Sequence, residues 1–200
     1  MYTLILASQS PRRRLILEQH GFNVVVDTVK ISEIIKENLS WDGVLRDLAR
    51  QKSEAYINSR NPLELKGKII LTADTLVVFN NKALGKPKNR QEAIEFLRSM
   101  SGNSHQVLTG VCLYNGTEDQ LESLVEITNI QFKELSQNEI EAYVDTGEPM
   151  DKAGAYGIQG EGGKFVESYE GSYYNVVGLP IEAVEKLLKE KNWDVARTKS

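Results

Sequence analysis

The first 26 residues constrain the fold more than any other stretch. Tyr2 to Ala7 is a short apolar run closed by Ser8-Gln9-Ser10-Pro11, which predicts a buried strand. Ser10 stands where an N-cap belongs and Pro11 where a first helical residue belongs. They predict a helix through Leu15, Ile16 and Leu17 that stops at Gly21. Phe22 to Val26 follows as a second strand. Strand, helix and strand in succession are the start of an α/β sheet.

The rest of the chain continues this alternation. Residues 28–39 are polar and irregular. Ser40 precedes a long helix with an apolar stripe at Trp41, Val44, Leu45, Leu48, Ala55 and Tyr56, broken by Asn61-Pro62. Lys68 to Phe79 reads as a long strand, and Asn80-Asn81 as a hairpin turn, since both residues tolerate positive φ. Asn89 with Glu92 and Ser136 with Glu139 form capping pairs ahead of two helices, ending near Gly102 and Gly147. Between them, residues 105–115 and 121–133 read as strands. Eight of the 15 glycines lie in residues 147–178, which predicts a loop system with close backbone approach, to a ligand among other things. Pro180 opens a last amphipathic helix. Without a repeat or a polar linker, residues 1–193 read as a single domain and residues 194–200 as a frayed tail.

Composition narrows the function. The 24 basic and 28 acidic residues leave a net charge of −4, so no global field draws the chain to nucleic acid or acidic lipid, and any anion site must be local. One cysteine, Cys112, allows no internal disulfide, and with two histidines it cannot build a zinc cluster. Carboxylate binding of a hard metal remains open. The apolar opening is too short for a signal peptide, and no apolar run approaches the roughly 18 residues of a membrane span. The expected address is the cytoplasm.

Four features stand out against an ordinary globular background. Arg12, Arg13 and Arg14 crowd the first turn of a helix, where the macrodipole disfavours cations. With the amides and hydroxyls of Ser8-Gln9-Ser10 they suit an anion site for phosphates, with Arg14 the bystander, the alternative being a solvated basic turn. Lys52 lies about 40° from Leu48 and about 20° from Leu45 on the helical wheel, so it shares the buried stripe and either snorkels to solvent or meets an anion. Asp74 interrupts a buried strand, where a carboxylate must be paired with a cation, hold a metal or act as a general base. Glu33 is a weaker second hard ligand. Lys86, held between Gly85 and Pro87, suits a phosphate contact or a surface turn. His105 and Cys112 suit an ordinary strand.

Leu6-Ala7-Ser8-Gln9-Ser10-Pro11-Arg12-Arg13 resembles the opening signature of the Maf family of nucleoside triphosphate pyrophosphatases. The resemblance continues through Ala73-Asp74-Thr75, Gly85-Lys86-Pro87, Ser101-Gly102 with His105, and Gly147-Glu148-Pro149. It is densest at residues 151–160, Asp-Lys-Ala-Gly-Ala-Tyr-Gly-Ile-Gln-Gly, and at residues 175–180, Asn-Val-Val-Gly-Leu-Pro. Residues 151–160 resemble the branch acting on dTTP and UTP rather than the one linked to 7-methyl-GTP.

The resemblance implies a mixed, twisted α/β sheet in two lobes around a central cleft, like the inosine triphosphate pyrophosphatases. It implies hydrolysis of a nucleoside triphosphate to monophosphate and pyrophosphate with Mg2+ or Mn2+, and it leaves a homodimer open. It places the proton acceptor on Asp74, with Lys52 and Lys86 as catalytic partners. Substrate contacts fall on Ser8, Arg12, Arg13, Thr75 and Gln159, and metal ligands on Asp74 and Glu33. Two other readings remain: a nucleotide-binding regulator of septum formation, and a nucleotidyl transferase.

Overall fold

The computed structural model describes residues 1–36 and 38–198. Its opening follows the sequence. Strand β1 (Thr3–Leu6) pairs in parallel with β2 (Val24–Val26) on one side and with β3 (Lys68–Phe79) on the other. Helix α1 (Pro11–Gln19) connects β1 to β2, with Pro11 in its first turn and Gly21 at φ 77° past its end. Ser10 departs from expectation: its backbone is extended, as at a cap, but its hydroxyl bonds no helix amide. Its own N–H donates to Ser8 Oγ at 3.3 Å instead.

Seven strands form one hydrogen-bonded sheet in the order β2-β1-β3-β5-β6-β7, where β5 is Ser104–Asn115, β6 Gln120–Phe132 and β7 Val166–Glu170. Strand β4 (Lys82–Leu84) pairs with β3 off this path. Pairing is parallel around β1 and antiparallel in β3/β4 and β6/β7, so the architecture is mixed α/β. The chain divides into two compact units. One comprises Met1–Asp74, Thr109–Glu126 and the residues from Gly178 onward; the other comprises Thr75–Leu108 and Ile127–Val177.

In the first unit, helix α2 (Trp41–Asn58) buries Val44, Leu45, Leu48, Ala49, Ser53 and Tyr56, while Trp41 and Ala55 of the predicted stripe are only half-buried. The contact of α2 with β5 is close enough that a Cβ at Gly110 would lie 2.4 Å from the Leu45 carbonyl oxygen. Thr72 Oγ1 of β3 donates to the Ala49 carbonyl of α2 at 2.7 Å. These two contacts set α2 against the sheet beside Asp74. After α3 (Pro62–Leu65), the unit closes with α7 (Ile181–Glu190), which buries Ile181, Val184 and Leu188. Residues 194–198, expected to fray, instead bridge to the start of the chain, Val195 with Tyr2 and Arg197 with Phe22. Trp193 and Val195 are buried there, and that burial offsets the ordering entropy. Residues 199–200 lie outside the described residues.

In the second unit, Asn80 and Asn81 take φ of 48° and 58°, the left-handed pair that a tight β3–β4 hairpin needs. Asn89 caps α4 (Arg90–Met100), and Ser136 and Glu139 form a reciprocal capping box on α5 (Gln137–Asp145). Ile94, Leu97 and Met100 of α4 pack with Ile130, Phe132, Ile140, Tyr143, Tyr156 and Phe165 in one core. The glycine-rich stretch contains more regular structure than expected. It holds several 3₁₀ turns, strand β7 and helix α6 (Tyr173–Val177). The sequence conceals β7 because Val-Glu-Ser-Tyr-Glu is mostly exposed and lacks an apolar alternation.

Candidate active site

The arginine turn separates into three roles. Arg14 is exposed and pairs one turn along its own helix, with Nε 2.7 Å from Glu18 Oε1. Arg12 is half-buried. Arg13 is only 9% exposed, and its guanidinium is spread over three segments of the first unit. Its Nε donates to the Gly178 carbonyl at 2.8 Å, and its Nη1 donates to Ser8 Oγ at 2.9 Å and to the Ala73 carbonyl at 2.8 Å. Burial lowers the pKa of Arg13, opposed by the charge of Asp74; Arg12 adds to the lowering and Glu33 opposes it. Arg12, Glu33 and Asp74 thus lie within electrostatic reach of one buried guanidinium.

Lys52 does not snorkel away from the stripe into solvent. Its ammonium sits 3.2 Å from Asp74 Oδ1 and 3.0 Å from Glu33 Oε1. The Lys52 and Asp74 side chains are 20% and 19% exposed, against 45% for Glu33. Asp74 therefore has a cationic partner, one of the outcomes its strand position allowed, and the partner is the other anomalous residue. Two partly desolvated opposite charges attract more strongly than surface pairs do, yet this exposure leaves them reachable by a polar ligand. Ser8, Arg12, Arg13, Glu33, Lys52 and Asp74, from four separate stretches of sequence, are thereby gathered in the first unit.

Thr75, Lys86 and Gln159 belong to the second unit. Thr75 follows Asp74 in β3 and is half-buried. Lys86 is exposed, in the irregular stretch between β4 and α4, beside the buried Pro87. The Gly154 N–H donates to the Gly85 carbonyl at 3.1 Å, which ties this stretch to the turn leading toward Gln159. Gln159 is exposed in a turn closed by the Gly160 N–H donating to the Gly157 carbonyl at 3.2 Å.

Sequence reasoning missed the partners of two groups. Ala73 and Gly178 act on Arg13 through their carbonyls, which no residue type announces. Glu148 bonds its carboxylate to the Glu161 and Gly162 amides, just past Gln159, which no local pattern indicates. His105 is buried with Nε2 2.8 Å from Tyr156 Oη, and burial depresses its pKa to about 4, so it is a neutral core residue. Burial pushes the Cys112 thiol up to about 12, which leaves it unreactive.

The chain matches the family described as Maf-like protein over residues 3–191. It is 49% identical to the dTTP/UTP pyrophosphatase of Bdellovibrio bacteriovorus, with 94% of this chain and 97% of that protein covered. It is 44% identical to the dTTP/UTP pyrophosphatase of Bacillus pumilus, with 94% and 96% covered. Among solved structures it is similar to the Ham1 protein of Staphylococcus aureus, at 16% identity and a TM-score of 0.49, over 94% of this chain and 99% of that one. The match to the family model over residues 3–191 and the identity to these relatives along nearly the whole chain place this protein in the Maf family.

Proposed function

We propose that this protein hydrolyses nucleoside triphosphates to nucleoside monophosphate and pyrophosphate, preferring dTTP and UTP, in a house-cleaning role in the cytoplasmic nucleotide pool. The observation that carries the reading is the Lys52 ammonium held between the carboxylates of Asp74 and Glu33. The names of the relatives support the substrate, and the net charge of −4 supports a small anion over a nucleic acid polymer. Among the described residues no helix is long and apolar enough to cross a membrane. A regulator of septum formation would need the phosphate grip but no paired carboxylates beside it, so it is not favoured. A homodimer is compatible with this reading, which does not require one.

The donor set fits a hard divalent cation. Asp74 and Glu33 supply oxygen donors that already converge on a positive charge. No group of three or more His, Cys, Asp or Glu among the described residues could hold a metal alone. Mg2+ or Mn2+ would therefore complete its coordination with substrate phosphates and water. When bound, such an ion neutralises phosphate charge and lowers the pKa of a bound water.

The chain's own groups carry the remaining work. Arg12, Lys52 and Lys86 neutralise the triphosphate and orient it for attack at the α-phosphorus. Asp74 accepts the proton of the attacking water, and the Lys52 ammonium 3.2 Å from its Oδ1 fixes where that carboxylate stands. Arg13 acts mainly from behind: its bonds to Ser8 and Ala73 hold the β1–α1 turn and the backbone that delivers Asp74. Thr75 and Gln159 select the base, since the Gln159 amide offers both a donor and an acceptor to a pyrimidine edge.

The test is pyrophosphate release from a panel of dTTP, UTP, CTP, ATP and GTP with Mg2+ or Mn2+, beside Asp74→Asn. The expected result is release from dTTP and UTP first, and less than about a tenth of wild-type kcat in the near-isosteric variant, a loss above ~1.4 kcal/mol of barrier stabilisation. Orthophosphate as the first product, or full turnover by Asp74→Asn, would contradict the assignment.

A further inference from the structure

Glycines 157, 160 and 162 look on sequence like room for a ligand, but in the structure the room is filled from inside the protein. A Cβ at Gly160 would lie 2.1 Å from Glu148 Oε1, and one at Gly162 would lie 2.7 Å from Tyr143 Oη. At Gly157 it would lie 2.7 Å from Lys152 Cε. These three glycines let the backbone wrap a carboxylate, a phenol and a lysine stem.

The carboxylate is the hub. Glu148 Oε1 accepts from Tyr143 Oη at 3.0 Å and from the Gly162 N–H at 3.4 Å, and Oε2 accepts from the Glu161 N–H at 3.0 Å. Tyr143 Oη in turn accepts from the Gly157 N–H at 3.3 Å. Burial pushes the Glu148 pKa up, but the Glu161 amide, the Tyr143 hydroxyl, the Gly162 amide and the Lys152 charge outweigh it and hold it below its ordinary value. The side chain is therefore an ionised, acceptor-only group at neutral pH. Its hydrogen bonds on the 157–162 stretch are to the Glu161 and Gly162 amides, beyond Gln159, while Tyr143, whose hydroxyl donates to it, takes the Gly157 amide on the other side.

We propose that Glu148 is a positioning residue for base selection: it pins one flank of the turn that presents Gln159 directly and the other through Tyr143, and so sets where that amide meets the nucleobase. The inference rests on the assignment of Gln159 to the base. A pinned turn lets an exposed glutamine discriminate, because an amide that wanders with its backbone satisfies the wrong base as readily as the right one. The carboxylate cannot be replaced by its own amide. A glutamine at 148 has one acceptor oxygen for donors that arrive on two, and its NH2 would face an N–H.

The experiment uses Glu148→Gln, Gln159→Ala and the double variant, with steady-state kinetics on UTP and CTP and amide exchange of the unliganded protein. Glu148→Gln is expected to raise KM for UTP about tenfold and to cut the UTP/CTP ratio of kcat/KM by a similar factor, with kcat within about threefold of wild type. Exchange at residues 157–162 should quicken about tenfold while the α4 amides keep their protection. The double variant should discriminate no worse than Gln159→Ala alone, since one residue acts through the other. A fall in kcat at unchanged KM, multiplicative losses in the double variant, or unchanged exchange at 157–162 would each overturn the role of Glu148. An unchanged UTP/CTP ratio in Gln159→Ala would instead overturn the base assignment, an outcome separable because the exchange readout needs no substrate.

Discussion

A lysine on the buried stripe of a helix has two outlets, solvent or an anion, and Lys52 takes the second. That choice was half legible: the wheel placed Lys52 on the stripe, and a carboxylate in the middle of β3 called for a cation, but no local rule joins residues 52 and 74. Glu33, from an irregular loop, was the least legible of the three and still reaches the same ammonium. Arg13 shows the opposite case. Its charge is visible in the sequence, whereas its carbonyl partners at Ala73 and Gly178 exist only once the chain has folded. His105 carries a prediction at this scale. Its native pKa of about 4 lies below the ordinary 6.5, so between those values the unfolded chain binds the extra proton. The stability from keeping His105 neutral is full above pH 6.5 and is lost as pH falls toward 4. Compared with His105→Gln, the wild-type protein should lose about 2 kcal/mol of unfolding free energy between pH 7 and pH 5, read from urea midpoints. Parallel pH profiles for the two proteins would contradict the assignment.

Helices and long strands are legible in the sequence, because their signals are local. Asn80-Asn81, Asn89 and the Ser136–Glu139 pair each do what their residue types dictate. Strand β7 was missed because it pairs by backbone along β6 with little burial to mark it. The packing of α2 is likewise illegible, since it depends on a missing side chain. Gly110 admits the Leu45 carbonyl at a distance where no Cβ fits, and the obstacle is helix backbone that cannot swing aside. Gly110→Ala should therefore push α2 off β5 and cost about 1–3 kcal/mol of stability in denaturant titration. Because Lys52 rides on that helix, kcat should fall as well. A variant of wild-type stability would show that α2 has slack against the sheet.

Over the whole molecule, the chain order disguises the division into two units. The first unit draws on three separate stretches and the second on two, and β3, β5 and β6 each run from one unit into the other. No linker marks the division in the sequence, because the chain passes from one unit's stretch to the other's inside these strands. The net charge of −4 also hides a local site in which two arginines and a lysine stand among carboxylates, the balance expected of a chain that handles a small polyanion without binding polymers. The central claim is that water attacks the α-phosphorus of a pyrimidine nucleoside triphosphate. Hydrolysis of UTP in ¹⁸O-labelled water, with the products resolved by mass, tests it most directly. The label is predicted in UMP, with unlabelled pyrophosphate as the other product; label in pyrophosphate or orthophosphate would contradict it.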